Sequence, residues 1–292
     1  MKIAINTMQL MENRAVGSVG SSRIRGDWLI KHWPDAELFH FGRKYDVVIY
    51  QKAYDMEHMR AFQGIKIFDL CDPDWLQGRP VREVLEHVDA CTTSTEALAE
   101  YIRQMTDKPV LCIPDRVDLT IHQQLKVHEG RAKTVLWYGY IDNHQTIDQC
   151  LPAIQRLGLR LVVLSDKQYY PTHTVAGITE EWLHNSVLNL SFDAETFVED
   201  VVHNADIILN PKLTTGRFRF KSSNKTVIAW ALGLPVAHDG EELEAMMDEQ
   251  ARKSEATKRR AEVEAHWDTR QSVKEYQDLI AQIQNAKTST AN

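Results

Sequence analysis

Cysteine is scarce and scattered, with four in 292 residues at Cys71, Cys91, Cys112 and Cys150 and no CxxC pair. That spacing excludes a disulfide scaffold and a zinc ribbon, and it leaves the four as buried thiols of a reducing compartment. Long apolar runs are missing too. The longest apolar-rich stretch, Thr226 to Ala237, is broken by Gly233 and Pro235 and is too short to cross a bilayer. The opening MKIAINTMQL carries a strand-like run but no cleavable leader pattern, so the expectation is a cytoplasmic chain without membrane insertion. An excess of basic charge is absent: the formal net charge of -7 argues against a generally basic nucleic-acid binder and leaves a local basic groove open. No HExxH, EF-hand loop or Cys/His cluster occurs among the scattered histidines, so neither a metal nor another cofactor is expected.

What is present is an alternation of short β-rich runs with helical patterns, the mark of parallel sheets flanked by helices. In the first half, strands are expected at Lys2–Asn6, Tyr45–Gln51, Ile65–Leu70, Ala90–Ser94 and Val110–Pro114. Helical spacing covers Arg23–Trp33, Pro80–His87 and Thr95–Gln104, with Ser94-Thr95-Glu96 as an N-terminal cap. The irregular Asp115–Lys133 reads as a linker. Beyond it, strands are expected at Val135–Tyr140, Leu161–Ser165, Val187–Phe192 and Asp206–Asn210, and helices at Gln145–Leu157, Ala194–Asn204 and Asn224–Leu232. Two successive Rossmann-like domains result, an α/β chain divided at 1–125 and 126–265, with a helix and tail over 266–292. In that last helix Val273, Tyr276, Ile280 and Ile283 form one apolar stripe, which must dock.

Three segments could carry chemistry. Val16–Gly26 (VGSVGSSRIRG) follows the first strand and opens a helix. Its glycines suit a tight turn near an anion, and Arg23 and Arg25 add charge, yet the spacing is neither GxGxxG nor a P-loop. An ordinary flexible turn explains it equally well. Phe68–Trp75 (FDLCDPDW) ends a strand in three aspartates. Carboxylates there can bind sugar hydroxyls, hold a metal or accept a proton, while Asp-Pro-Asp is also plain turn chemistry. Asn210–Ala237 gathers Lys212, Arg217, Arg219, Lys221 and Lys225 ahead of a helix that starts near Ser223 or Asn224. Cations beside free helix N–H groups suit a diphosphate, while a charge run is also commonly just a solvated face.

Read together, these segments resemble the GT-B glycosyltransferases, above all the large family called glycosyltransferase group 1. KTVLWYG (Lys133–Gly139) is similar to the family's donor-domain opening, ADIILNP (Ala205–Pro211) to its "a-D-i-f-l-x-P" strand, and KSSNKTVIAWALGLPV (Lys221–Val236) to "K-x-x-N-K-x-x-E-A-x-A-x-G-x-P-V". VDACTTSTEAL (Val88–Leu98) and VLCIPDRVD (Val110–Asp118) resemble the run before the domain crossover. The chain departs from the family at Tyr140 and at Asn143-His144, where an Arg and a Lys would clamp phosphate. Phe220 and Ile228 stand where the E-x7-E carboxylates would be.

The resemblance implies a GT-B fold with the C-terminal helix returning to the first domain, and transfer of a sugar from a nucleotide-sugar to an acceptor hydroxyl. The implied donor site comprises Gly17, Gly20, Arg217, Arg219, Lys221, Ser222, Ser223, Asn224 and Lys225, with the nucleobase near Ser165 and Phe192. The acceptor would meet Ser22, Arg23, Arg25 and Trp75, with Asp72 or Asp74 as base if the reaction inverts or as a ligand of the acceptor hydroxyl if it retains. The short chain resembles phage enzymes that glycosylate hydroxymethylated pyrimidines in DNA. This implies DNA modification in a host cytoplasm, with Arg14, Lys31, Arg43 and Lys44 joining Arg23 and Arg25 on the phosphates. Competing readings are a non-catalytic nucleotide-sugar-binding subunit, a glycan or small-molecule glycosyltransferase, and an epimerase of similar architecture.

Overall fold

The computed structural model describes residues 1–15 and 19–291. The chain divides into two compact units. The first comprises Met1–Asp118, Thr215–Ser222 and Asp268–Asn292, and the second Leu119–Thr214 and Ser223–Trp267.

The first unit holds a six-stranded parallel sheet: β1 (Ile3–Thr7), β2 (Ala36–Leu38), β3 (Val47–Gln51), β4 (Ile65–Leu70), β5 (Ala90–Thr93) and β6 (Val110–Cys112), in the order β2-β1-β3-β4-β5-β6. Its central strands carry apolar residues toward both faces because both are covered. Ile3, Ile5, Val47, Ile49, Ile65 and Ile67 face one side with Leu29 and Trp33. Ala4, Val48, Tyr50, Phe68 and Leu70 face the other with Val81, Val84 and Leu85. The final helix, Thr269–Ala291, belongs to this unit and lays Val273, Tyr276, Leu279, Ile280 and Ile283 into the first of these layers. The expected stripe has therefore docked, with Leu279 added.

The second unit has a five-stranded parallel sheet: β7 (Thr134–Tyr138), β8 (Arg160–Ser165), β9 (Val187–Ser191), β10 (Ile207–Leu209) and β11 (Val236–Ala237), in the order β11-β10-β7-β8-β9. Val135, Trp137, Leu161, Val163, Ile207 and Leu209 join Leu151 and Ile154 in its main core. Asp206 anchors the start of β10 to that of β7. It accepts from the amides of Lys133 (2.8 Å) and Thr134 (3.0 Å). Burial raises its carboxyl, but those amides outweigh it and hold the group below the ordinary carboxylate value.

The helices differ in detail from the sequence expectation. Arg23–Trp33 is not one α-helix: a wide π turn over Arg23–Asp27 precedes an α turn at Trp28–Lys31. Gly26 allows this turn to lie against β1, since a Cβ there would stand 2.8 Å from Thr7 Cγ2. Gln145–Leu157 splits into Gln145–Asp148 and Leu151–Leu157, because Pro152 has no N–H to continue a ladder and fits a first turn. Thr95 caps the helix Glu96–Arg103 as expected, its hydroxyl accepting from Leu98 N at 3.2 Å. No described helix is long and apolar enough to cross a membrane.

Ile280 is fully buried, so Ile280→Ala should cost about 2–5 kcal/mol in chemical denaturation. Removal of the chain from Gln271 onward should abolish the first unit's cooperative transition. An unchanged melting profile of the truncated protein would refute the docking of this helix.

Candidate functional site

In open parallel sheets ligands gather at the carboxyl ends of the strands, where the strand order reverses. In the first unit that reversal lies between β1 and β3. The chain leaves β3 through Lys52, one of two described non-glycine residues with positive φ (50°). Its amide donates to Asp69 O at 2.9 Å. Its ammonium lies 2.8 Å from Asp72 Oδ2 and 3.3 Å from Asp74 Oδ1. Lys221 Nζ donates to the other Asp72 oxygen at 2.7 Å, and Tyr54 OH donates to Asp74 Oδ2 at 2.8 Å. Asp74 opens a short 3-10 turn, Asp74–Gln77, which Gly78 ends with a φ of 74°.

The two carboxylates are unlike. The Asp72 side chain is 21% exposed and that of Asp74 is 3%. Burial raises the Asp72 carboxyl, but Lys221 and Lys52 overcome it and the net shift is downward. For Asp74 burial dominates, with Lys52 and Tyr54 opposing it, and the net shift is upward. Asp74 Oδ1, though within ion-pair distance of Lys52, is buried without a hydrogen bond. Lys52 itself shifts upward: burial opposes its charge, and Cys71, Asp72 and Asp74 together outweigh burial.

The two glycines expected at the donor and the residues expected around the acceptor divide. Gly17 lies outside the described residues. Gly20 opens the turn Gly20–Ser22, with open space beside it. Ser22 is buried and donates to Gln51 Oε1 at 2.9 Å, and Arg23 is half-buried on the π turn. Trp75 stacks on Tyr101 at 4.2 Å and meets Phe220 edge-on at 5.2 Å. Arg25 requires a correction. It is 3% exposed, and its guanidinium grips Asp69 through Nε (2.7 Å) and Nη2 (2.6 Å) while Nη1 reaches Asp115 Oδ1 and Ile113 O, both at 2.8 Å. A fork committed in this way braces the site from beneath and is not available to an acceptor.

The expected cation cluster also distributes. Thr215–Ser222 belongs to the first unit, so Arg217, Arg219, Lys221 and Ser222 are assigned there and Ser223, Asn224 and Lys225 to the second. Arg217 lies over Phe218 at 5.2 Å, Arg219 over Phe220 at 4.6 Å, and Lys221 on Asp72. Ser223 occupies the N-cap position of the helix Asn224–Ala231 without a side-chain cap bond.

In the second unit the reversal falls between β7 and β10, and Gly139 ends β7 with a φ of 145°. A Cβ there would run into the Lys225 side chain, with Cε at 2.9 Å. Lys225 Nζ sits 4.3 Å from the centre of the Trp137 ring, and its carbonyl accepts from Tyr138 OH at 2.6 Å. Ser165 Oγ donates to Gly139 O at 2.6 Å, and Phe192 N donates to Ser165 O at 2.9 Å. Lys225 and Ser165 thus both meet Gly139 at the end of β7, and Phe192 is tied to Ser165. Asn210, at the end of β10, donates to Thr226 Oγ1 at 2.9 Å.

Sequence reasoning missed Lys52 and Tyr54 and did not give Gly139 a role. Lys52 and Tyr54 follow directly from a recognised strand end, and that position was the available signal.

No protein-family model matches the chain, and no curated protein matches it. Among solved structures the fold is similar to that of T4 phage BGT in complex with its UDP-glucose substrate, with TM-score 0.58, 13% identity and 97% of this chain and 99% of that chain covered. It is similar also to AviGT4, a glycosyltransferase involved in avilamycin A biosynthesis, with TM-score 0.55, 14% identity and coverage of 97% and 98%. A mutant of the phage protein with UDP-glucose gives TM-score 0.52, 13% identity and 99% coverage of each chain. The chain therefore has the GT-B fold.

Arg25→Met should lower the unfolding free energy by about 3–5 kcal/mol by stranding Asp69 and Asp115. A variant of wild-type stability would return Arg25 to the pool of ligand-binding residues.

Proposed function

We propose that the protein is a glycosyltransferase that moves a sugar from a nucleotide-sugar onto an acceptor hydroxyl. The observation that carries this reading is the similarity of fold, over almost the whole chain, to two glycosyltransferases, one of them bound to UDP-glucose. The polar groups at both strand-end reversals agree with it.

On this reading the second unit takes the donor. Lys225 and the amides opening the helix Asn224–Ala231 receive the diphosphate, and the half-buried Phe192 offers a surface for the base. Such donors stabilise charge as it develops on the leaving nucleotide diphosphate. Arg217, Arg219, Lys221 and Ser222 are further donor-side candidates on the adjoining stretch of chain. Asp72 is the base. It is ionised and the more exposed of the two carboxylates, so an acceptor hydroxyl can reach it and give up its proton as the oxygen attacks the anomeric carbon. Asp74, sheltered behind it, supports it. Arg23 and Trp75 are acceptor-side candidates of the same unit, and Gly20 is a donor-side candidate.

The acceptor to test first is a hydroxymethylated pyrimidine in DNA, which the similarity of fold to a phage protein supports. Of the cations named for phosphate contacts, Arg14, Lys31 and Arg43 pair with Glu12, Asp118 and Glu37, and Arg25 is buried. Arg43 and Lys44 line an open groove of about 600 Å³ with Lys2, Asp35 and Tyr45, at the amino ends of the strands and away from Asp72. A DNA acceptor brings phosphates for such cations to neutralise, and the counterions released make its affinity fall with salt, so salt is the discriminating variable.

A nucleotide-sugar panel scored for thermal protection and for free nucleotide diphosphate tests the reading. Asp72→Asn should lower transfer by a factor of about 10² or more with donor affinity retained. Lys225→Ala should weaken donor binding by about 1.5–3 kcal/mol. Protection by none of the nucleotide-sugars would refute the function. Binding without turnover would favour a non-catalytic binding subunit. For DNA containing hydroxymethylated cytosine or uracil, a mass increment and an affinity falling at least about tenfold between roughly 50 and 200 mM salt are expected. Turnover of a glycan or small molecule with no DNA increment would replace that acceptor.

A further inference from the structure

We propose that Lys52 is the positioning residue of this site, its ammonium holding Asp72 in the ionised, outward form that an acceptor hydroxyl can use, with Asp74 as the brace behind it. The inference rests on the reading of Asp72 as the base and assigns a role to a residue that touches no substrate.

Three observations carry it. Lys52 adopts a φ of 50°, a conformation that costs a side-chain-bearing residue about 1 kcal/mol or more and is kept where something else demands it. The turn is pinned by the 2.9 Å bond from its own amide to Asp69 O, so the strand that supplies Asp72 also fixes where the lysine leaves. The side chain is 10% exposed and ends between two carboxylates at 2.8 and 3.3 Å. A solvated surface lysine needs neither the strained backbone nor the burial.

Lys221, which shares Asp72, differs in each respect. Its side chain is 41% exposed, it contacts one oxygen only, and it comes from the separate Thr215–Ser222 stretch. Lys52 is the inner, fixed partner. The other groups facing this pair are the Cys71 thiol, 3.9 Å from Asp72 Oδ2, and the Tyr54 hydroxyl on Asp74. Burial, reinforced by Asp72, pushes the Cys71 thiol up, so it stays neutral at working pH. Tyr54 shifts upward by burial and Asp74, and it remains a neutral donor. Of the two cations that oppose burial at Asp72, Lys221 and Lys52, Lys52 is the buried one.

The test is a carboxyl-carbon NMR titration of Asp72 and Asp74 in the full chain, for wild type, Lys52→Met, Lys52→Arg and Lys52→Gly, beside the pH profile of transfer. With the ammonium gone, the Asp72 midpoint should rise by about one pH unit or more, and Arg should restore it. The acid limb of kcat/KM should rise with it, and kcat should fall about tenfold or more with KM for the nucleotide-sugar unchanged. Lys52→Gly guards against misfolding as the explanation, because glycine takes the left-handed backbone without strain. A folded glycine variant with the same losses supports the proposal. An Asp72 midpoint that stays put in Lys52→Met, or an acid limb and kcat that do not change, overturns it. If wild type turns over no nucleotide-sugar, the proposed function falls, and the carboxyl titration alone still decides whether Lys52 sets Asp72.

Discussion

The first unit depends on one buried ion pair. Arg25 and Asp69 meet where water is excluded, and a desolvated charge pair is tolerable only when nearly every donor and acceptor is used. Here they are. Asp69 Oδ1 also accepts from Thr92 Oγ1 at 2.6 Å and from Tyr276 OH at 2.8 Å, while the remaining arm of the guanidinium reaches Asp115 and Ile113 O. Burial works against the guanidinium, but Asp69, Tyr276 and Asp115 hold its pKa above the ordinary value. The pair ties the π turn, β4, β5, the end of β6 and the final helix to one point. Three residues after Asp69 the chain delivers Asp72, and the Asp69 carbonyl fixes the backbone of Lys52. The chemistry at the strand ends takes its register from that inner knot.

Upon this base two neighbouring aspartates diverge in character because their surroundings do. Asp72 touches two ammonium groups and some solvent. Asp74 is enclosed, with a phenol on one oxygen and no hydrogen bond on the other. A pair of carboxyls separated in this way can divide proton acceptance and support between them. The second unit solves a different problem with the same geometry. A glycine at the end of β7 removes the side chain that would block Lys225, and the aromatic face of Trp137 holds the cation above the strand.

Much of the architecture was legible in the sequence because doubly covered strands leave near-continuous apolar runs: Ile65–Leu70 is found at its expected bounds. The short edge strand Ala36–Leu38 left no such signal, being three residues long with only Ala36 buried. Pro152 and the π turn altered helices whose apolar spacing alone was sound. At the sites, Asp72 and Asp74 could be picked out because three acids end one strand. The fate of Arg25 could not, since its partners Asp69, Asp115 and Tyr276 lie 44, 90 and 251 residues away and pairing over such distances has no local pattern. The cations of 217–225 looked like one cluster for the converse reason: closeness in sequence says nothing about which side chain claims each of them.

The chain passes from one unit to the other four times, at 118/119, 214/215, 222/223 and 267/268. The helix that completes the first unit's core follows the whole of the second unit in the sequence. Domains ordinarily fold in the order of their synthesis. Here the amino-terminal sheet emerges first yet must wait, with the layer that Val273, Leu279, Ile280 and Ile283 will cover still open, until the second unit has been made. Neither unit can be cut out as one uninterrupted stretch of sequence, and loss of Thr269–Ala291 uncovers the first unit rather than the second.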